Sequence, residues 1–177
     1  MNTILQAALP AHLDLARQLF REYAASIGVD LCFQRFDEEL SALPGDYAPP
    51  RGRLLLAWED GALAGCGALR SLGEQDCEMK RLYVRPQFRG RCLGRRLAER
   101  LVEAARGAGY RSMFLDTLAS MVPARRLYLS LGFRETAPYY SNPLPDVVFM
   151  KLDLSEPEAG GGHGATDGTD DTDSKRF

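Results

Sequence analysis

The polarity pattern changes period along the chain, and each change marks an element. Leu54 to Trp58 and Ala62 to Leu69 are apolar runs on either side of Glu59-Asp60-Gly61. Asp-Gly supplies the positive φ that primed turns need, so the runs predict an antiparallel hairpin. Gly65 and Gly67 inside the second run predict a bulge or a close backbone approach. Glu78 to Val84 then alternates, with Glu78, Lys80, Leu82 and Val84 on one predicted face and Met79, Arg81 and Tyr83 on the other, until Pro86 ends the strand. From Leu93 the period lengthens. Leu93, Leu97 and Leu101 recur on one side, and Arg95, Arg96, Glu99, Arg100, Glu103 and Arg106 take the other, which predicts an amphipathic helix ended by Gly107 to Gly109.

The flanks complete the picture. Ile4 to Ala8 reads as a short strand, and Pro10 opens a helix that carries Leu13, Ala16, Leu19, Phe20 and Tyr23 to Gly28. Asp37 is expected to cap a second short helix running through Leu43. Ser112 to Thr117 predicts a strand, Pro123 to Gly132 a helix, and Phe133 to Ala137 and Val147 to Leu152 the last strands. In the loop between those strands, Tyr139 and Tyr140 serve equally well as a pocket wall or as cover for the core. The order predicts an α+β fold, a twisted mixed sheet flanked by helices, in one domain over residues 1–154. Residues 155–177 are Gly, Asp, Thr and Ser with almost no apolar side chains, so a disordered acidic tail is expected there.

Composition narrows the function. With 177 residues, 45% hydrophobic and 26% charged, the chain reads as one ordinary soluble domain. It shows no signal peptide and no run of about 18 apolar residues, so a cytoplasmic protein without membrane contact is expected. Cys32, Cys66, Cys77 and Cys92 lack CxxC spacing and His12 lies far from His163, so no metal is expected and the thiols should be reduced. Lys80 to Arg106 holds nine Lys/Arg and two Asp/Glu, net +7, against a chain total of −2. Such a basic island on an acidic chain suits a compact polyanion better than nucleic acid. Within it, Arg89-Gly90-Arg91-Cys92-Leu93-Gly94 joins strand to helix, where glycine permits close approach and the helix start offers N–H groups to phosphate. Residues 1–79 carry twelve acids and six bases, net −6, which points to a cationic amine as the other ligand.

The stretch Leu82-Tyr83-Val84-Arg85-Pro86-Gln87-Phe88-Arg89-Gly90-Arg91-Cys92-Leu93-Gly94 resembles the acetyl-CoA-binding motif of the GCN5-related N-acetyltransferase (GNAT) superfamily, a strand followed by R/Q-x-x-G-x-G/A. Leu115-Asp116-Thr117 followed by Ala124, Leu127, Tyr128, Gly132 and Phe133 resembles the family's next strand and its A-x-x-L-Y-x-x-x-G-F helix, so the likeness covers roughly residues 54–152. Cys92 stands where the family usually has Gly or Ala, and Met121 where it often has Asn. The resemblance implies an acetyl-CoA-dependent acetyltransferase that acts on a primary amine of a small molecule or peptide by direct attack in a ternary complex.

It also implies roles. The N–H groups from Arg89 to Arg95, through Gly90, Arg91, Cys92, Leu93 and Gly94, would meet the pyrophosphate, with charge from Arg89, Arg91 and Arg95. Leu82, Tyr83 and Val84 would pair with the pantetheine arm. Tyr128 matches the general acid that protonates the departing thiolate; a tyrosine packed on the core is the other reading. Glu78 matches the catalytic base of histone-type members, and a carboxylate simply paired with a nearby Arg is its alternative. Many members resembling this chain are homodimers. Two rivals remain at this level: a non-catalytic acyl-CoA-binding or regulatory module of the same fold, and a nucleic-acid-binding domain, which a pI near 5.7 disfavours.

Overall fold

The computed structural model describes residues 2–32 and 35–155, so the tail expected after residue 155 lies outside the described residues. Among the described residues the chain forms β1 (Asn2–Gln6), α1 (Pro10–Ile27), α2 (Phe36–Ala42), β2 (Arg53–Glu59), β3 (Ala62–Ser71), β4 (Asp76–Val84), α3 (Leu93–Gly107), β5 (Ser112–Leu118), α4 (Val122–Ser130), β6 (Arg134–Glu135) and β7 (Val147–Asp153). The strands make one sheet in the order β1-β2-β3-β4-β5-β7-β6. Its β4 and β5 are parallel and the other neighbours antiparallel. This is the mixed α+β architecture that the pattern predicts.

Local signals account for most boundaries. Pro10 opens α1, and Gly28 closes it at φ 67°. Asp60 and Gly61 turn β2 into β3 with φ of 49° and 81°, the primed geometry expected of that dipeptide. Asp37 does not cap α2: it lies inside the first turn, behind Arg35 in a left-handed conformation. The helix is entered by a backbone twist, and Asp37 contributes only its charge near the positive helix end.

Two cores form, one on each face of the sheet. α3 and α4 bury Leu97, Leu101 and Tyr128 against Leu55, Leu69 and Met113. α1 and α2 bury Leu19, Phe20 and Leu40 against Leu54, Leu56 and Ala68. Leu54, Leu55 and Leu56 thus divide between two cores, which is why β2 reads as a continuous apolar run.

The alternation predicted for β4 breaks at Arg81. Cys66 pairs with Tyr83 and Ala68 with Lys80, so three steps on β4 oppose two on β3, and Arg81 takes a φ of 56°. This is a β-bulge, and it reverses the strand's faces. Glu78 and Lys80 therefore do not share a face with Leu82 and Val84, as strict alternation predicts. Leu82 and Val84 join Cys77 and Met79 in the α3 core, whereas Tyr83 packs with α1 and Arg81 reaches Glu39 of α2. The two glycines flagged in β3 make room. A methyl group at Gly65 would lie 2.4 Å from the Tyr83 carbonyl oxygen, and one at Gly67 would lie 2.9 Å from Leu101 Cδ1.

The bulge has a second effect. The parallel register between β4 and β5 runs from Asp76↔Ser112 to Glu78↔Phe114 and goes no further among the described residues. Beyond it the strands part, and the sheet opens at its centre.

Candidate active site

The turn from β4 into α3 is shaped for an anion. Gly90 has φ 80°, a region in which a side chain is strained, and Cys92 enters α3 at φ 58°. Cys92, which stands where the family motif usually has Gly or Ala, thus takes a conformation that favours glycine. The first α3 bond of the turn runs from the Arg96 N–H to the Cys92 carbonyl, so the N–H groups of Leu93, Gly94 and Arg95 open the helix ahead of it. Arg89 departs from expectation: its N–H is already donated to the Pro86 carbonyl at 3.2 Å, and its Nε donates to the Val84 carbonyl at 3.0 Å. Its main chain braces the turn and does not face a ligand. Arg91 is half exposed with Nη1 4.0 Å from Glu59, and Arg95 lies against Glu99 and Ser130. The N–H groups of Leu93, Gly94 and Arg95 at a helix start, with the side chains of Arg91 and Arg95 in the same turn, make a donor set that fits a phosphate group.

The basic island is not one surface. Arg81 donates to both Glu39 oxygens at 2.9 and 2.6 Å, Arg85 to both Glu22 oxygens at 2.9 and 2.7 Å, and Lys80 Nζ lies 3.7 Å from Glu78. The Arg85 guanidinium holds the Glu22 carboxyl below its usual range. Burial opposes ionisation of Glu39, yet the Arg81 guanidinium outweighs it and the carboxyl titrates low. The excess acid of residues 1–79 is therefore consumed partly by the island itself.

Where β4 and β5 part, a cleft is lined by Met79, Lys80 and Arg81 from β4, Asp116 and Thr117 from β5, and Tyr128 from α4. Tyr23, Ile27, Val29, Leu31 and Leu144 close it from the α1 side and the loop before β7. Met79 and Tyr128 belong to the α3 core, but Tyr23 packs against the opposite core. The cleft hence lies between the two cores, where β4 and β5 part. Gly94, at the start of α3, would place a methyl 3.7 Å from Val84 and 3.9 Å from Leu127, so the anion turn adjoins both β4 and α4. Leu82, Tyr83 and Val84 pair with β3 on one side, as at Tyr83↔Cys66 and Val84↔Gly65, and border the opening on the other.

Tyr128 is 7% exposed and rests on Phe133. Burial pushes its hydroxyl well above the usual tyrosine range, so it stays protonated at neutral pH. Glu78 is fully buried; Oε2 accepts from Arg70 at 2.7 Å and Oε1 from Tyr139 at 2.7 Å. It is not among the residues that line the cleft. Asp116 is, and its Oδ2 accepts from Tyr140 at 3.0 Å and from Asn142 at 3.5 Å. The sequence presents Asp116 only as part of a strand and gives Lys80, Tyr23 and Asn142 no role, because their meeting depends on how β4, β5, α1 and the loop before β7 pack together. Met121 lies at the cleft with its sulfur 3.7 Å from the Thr117 hydroxyl.

Among the described residues no helix is long and apolar enough to cross a membrane, and no three His, Cys, Asp or Glu side chains gather as a metal site.

The cleft where β4 and β5 part thus holds the buried Tyr128, and the Gly90–Arg95 turn adjoins β4 and α4 through Gly94. The model of the acetyltransferase (GNAT) family matches residues 14–133, and the chain belongs to that family. It is 45% identical to an uncharacterized N-acetyltransferase of Schizosaccharomyces pombe over 156 residues, 87% of this chain and 96% of the relative. It is 33% identical to an uncharacterized N-acetyltransferase of Dictyostelium discoideum, covering 80% and 94% of the two chains. Its fold matches that of yncA from Salmonella typhimurium, solved with its cofactor acetyl-CoA, at TM-score 0.65 and 24% identity over 92% and 99% of the chains. The chain is an N-acetyltransferase of this family, which uses acetyl-CoA.

Proposed function

We propose that the protein moves the acetyl group of acetyl-CoA to the primary amine of a small molecule or peptide by direct attack in a ternary complex. The observation that carries this reading is the parting of β4 and β5: the cleft there is lined by Tyr128 together with residues of both cores, which makes it the place where substrates held on the two faces would meet. The turn from Gly90 to Arg95 holds the phosphates, and the free edge of Leu82 to Val84 receives the pantetheine arm. One N–H of that edge polarises the thioester carbonyl.

An acceptor amine with a pKa of about 10.4 is mostly protonated at pH 7 and must lose a proton before it attacks. Asp116 is favoured over Glu78 for this task. Both Glu78 oxygens are engaged, one by an arginine, whereas Asp116 lines the cleft and accepts from the neutral donors Tyr140 and Asn142. Glu78 then acts by fixing Arg70, Lys80 and Tyr139. Once neutral, the nitrogen forms its bond to the carbonyl carbon as the carbon–sulfur bond breaks. Tyr128 gives its proton to the departing sulfur, and the second proton lost by the nitrogen passes to the Tyr128 oxygen, so the products are the amide, the free thiol and a neutral Tyr128, with the first proton left on Asp116 for release to solvent.

Acetyl-CoA at about 100 times its dissociation constant should stabilise the fold by about 2.7 kcal/mol, a rise of about 5–11 °C in melting temperature for a chain of this size. Scanning fluorimetry reads this directly, and no rise at millimolar acetyl-CoA removes the assigned turn. The turn is also tested by charge. Gly90→Asn and Gly90→Asp impose the same shape, and Asn tolerates a positive φ. The carboxylate variant should bind acetyl-CoA at least about tenfold more weakly than the amide variant. Equal affinities by calorimetry would place the phosphates elsewhere.

A further inference from the structure

Resting on that reading, we propose that the acceptor is a small zwitterion, an amino-acid-like amine whose carboxylate is held by Lys80 on the β4 wall of the cleft.

The charges on the two walls differ. On the β4 side stand Arg70, Lys80 and Arg81 with Glu39 and Glu78, three cations with two carboxylates among the described residues. The carboxylates are already well used. Glu39 binds Arg81 through both oxygens and accepts from Tyr47 at 2.8 Å. Glu78 accepts from Arg70 and Tyr139 at 2.7 Å each, and Lys80 lies further off at 3.7 Å. On the β5 side Asp116 is met by two neutral donors, Tyr140 and Asn142. The β4 wall is thus net positive and the β5 wall net negative across one opening.

The surroundings make those charges count. Lys80 is 7% exposed; burial draws its ammonium pKa down, while Glu78 and Asp116 draw it back up. An ammonium held this far from water gains from an arriving carboxylate more than a solvated one does. Asp116 and Tyr128 line the same cleft, so an amine drawn to Asp116 is brought into the space that Tyr128 faces. Ile27, Val29, Leu31 and Leu144 leave an apolar lining for the rest of the molecule. A diamine would put its second cation against Lys80, and a peptide's amino end carries a neutral amide where an amino acid carries its carboxylate. The cationic acceptor expected from the acidic N-terminal part therefore gives way to one of mixed charge.

The test compares a set of free α-amino acids with their amides and with the amines that lack the carboxyl group. Thiol release gives kcat/KM, and the melting temperature of the CoA-saturated protein gives binding independently of turnover. The amino acids should exceed their amides and amines by about tenfold or more, the worth of one charge-assisted contact. Lys80→Met should shrink that preference to about threefold or less with acetyl-CoA affinity unchanged by calorimetry, and Lys80→Arg should restore it. If Lys80→Met fails to fold, the wild-type comparison decides alone. Amides or amines used as well as amino acids, an equal loss for all acceptors in Lys80→Met, or no amino acid binding beside CoA would overturn the assignment while the cofactor reading stands. Failure of acetyl-CoA itself to bind would remove both.

Discussion

Tyr128→Phe should lower kcat about 100-fold, the low end of the usual range for general acid catalysis because a CoA thiolate is already a fair leaving group. The substitution removes one oxygen and keeps the ring that packs on Phe133 at 5.8 Å between centroids, so the core should keep its shape. Among the described residues no hydrogen bond to the Tyr128 hydroxyl is recorded that the change would break. Burial keeps that hydroxyl protonated through the neutral range, the state in which it can donate. Acetyl-CoA affinity by calorimetry should stay as it was, so the effect falls on kcat and not on binding. Unchanged turnover, with chemistry shown to be rate-limiting, returns Tyr128 to a packing role.

Asp116→Asn should cost about 100-fold in kcat/KM at pH 7, and the cost should depend on pH. Asn keeps the shape and can still meet Tyr140 and Asn142 but accepts no proton from the acceptor. As pH rises toward the amine's own pKa, between about 8 for a terminal amine and 10.4 for a lysine-like one, solvent supplies the neutral amine and the base becomes redundant. The ratio of wild type to variant should therefore shrink with rising pH. A constant ratio across that range would mean that Asp116 positions the acceptor or supports the loop and takes no proton.

Much of this site is legible in the residues. Gly90 and Gly94 between an alternating strand and an amphipathic helix announce a tight turn into a helix start, and Gly90 does take the left-handed backbone that glycine tolerates best. The hairpin at Asp60-Gly61 and the helix starting at Pro10 are equally local, and local signals survive folding. Glu78 marks where legibility ends. Strict alternation puts it on the face of Val84, but Arg81 adopts a left-handed conformation that only the packing of β3 and α2 sustains. Gly65 and Gly67 hint at irregularity without saying on which strand it falls. Asp116 is illegible for a related reason, because its place in the cleft depends on β5 parting from β4, a property of two strands far apart in sequence. Net charge says nothing of pairing: Glu22, Glu39 and Glu78 find arginines across the fold, and no count of acids along the chain reveals such pairs.

The most direct test of transfer in a ternary complex follows the acetyl group itself. Acetyl-labelled acetyl-CoA is given to the purified protein alone and then with an accepted amine, and both protein and acceptor are weighed by mass spectrometry. The account predicts label on the acceptor nitrogen as an amide, none on the protein at any time, and loss of that product in Tyr128→Phe and Asp116→Asn. Label that first appears on a side chain such as Cys92 and then moves to the acceptor would contradict it.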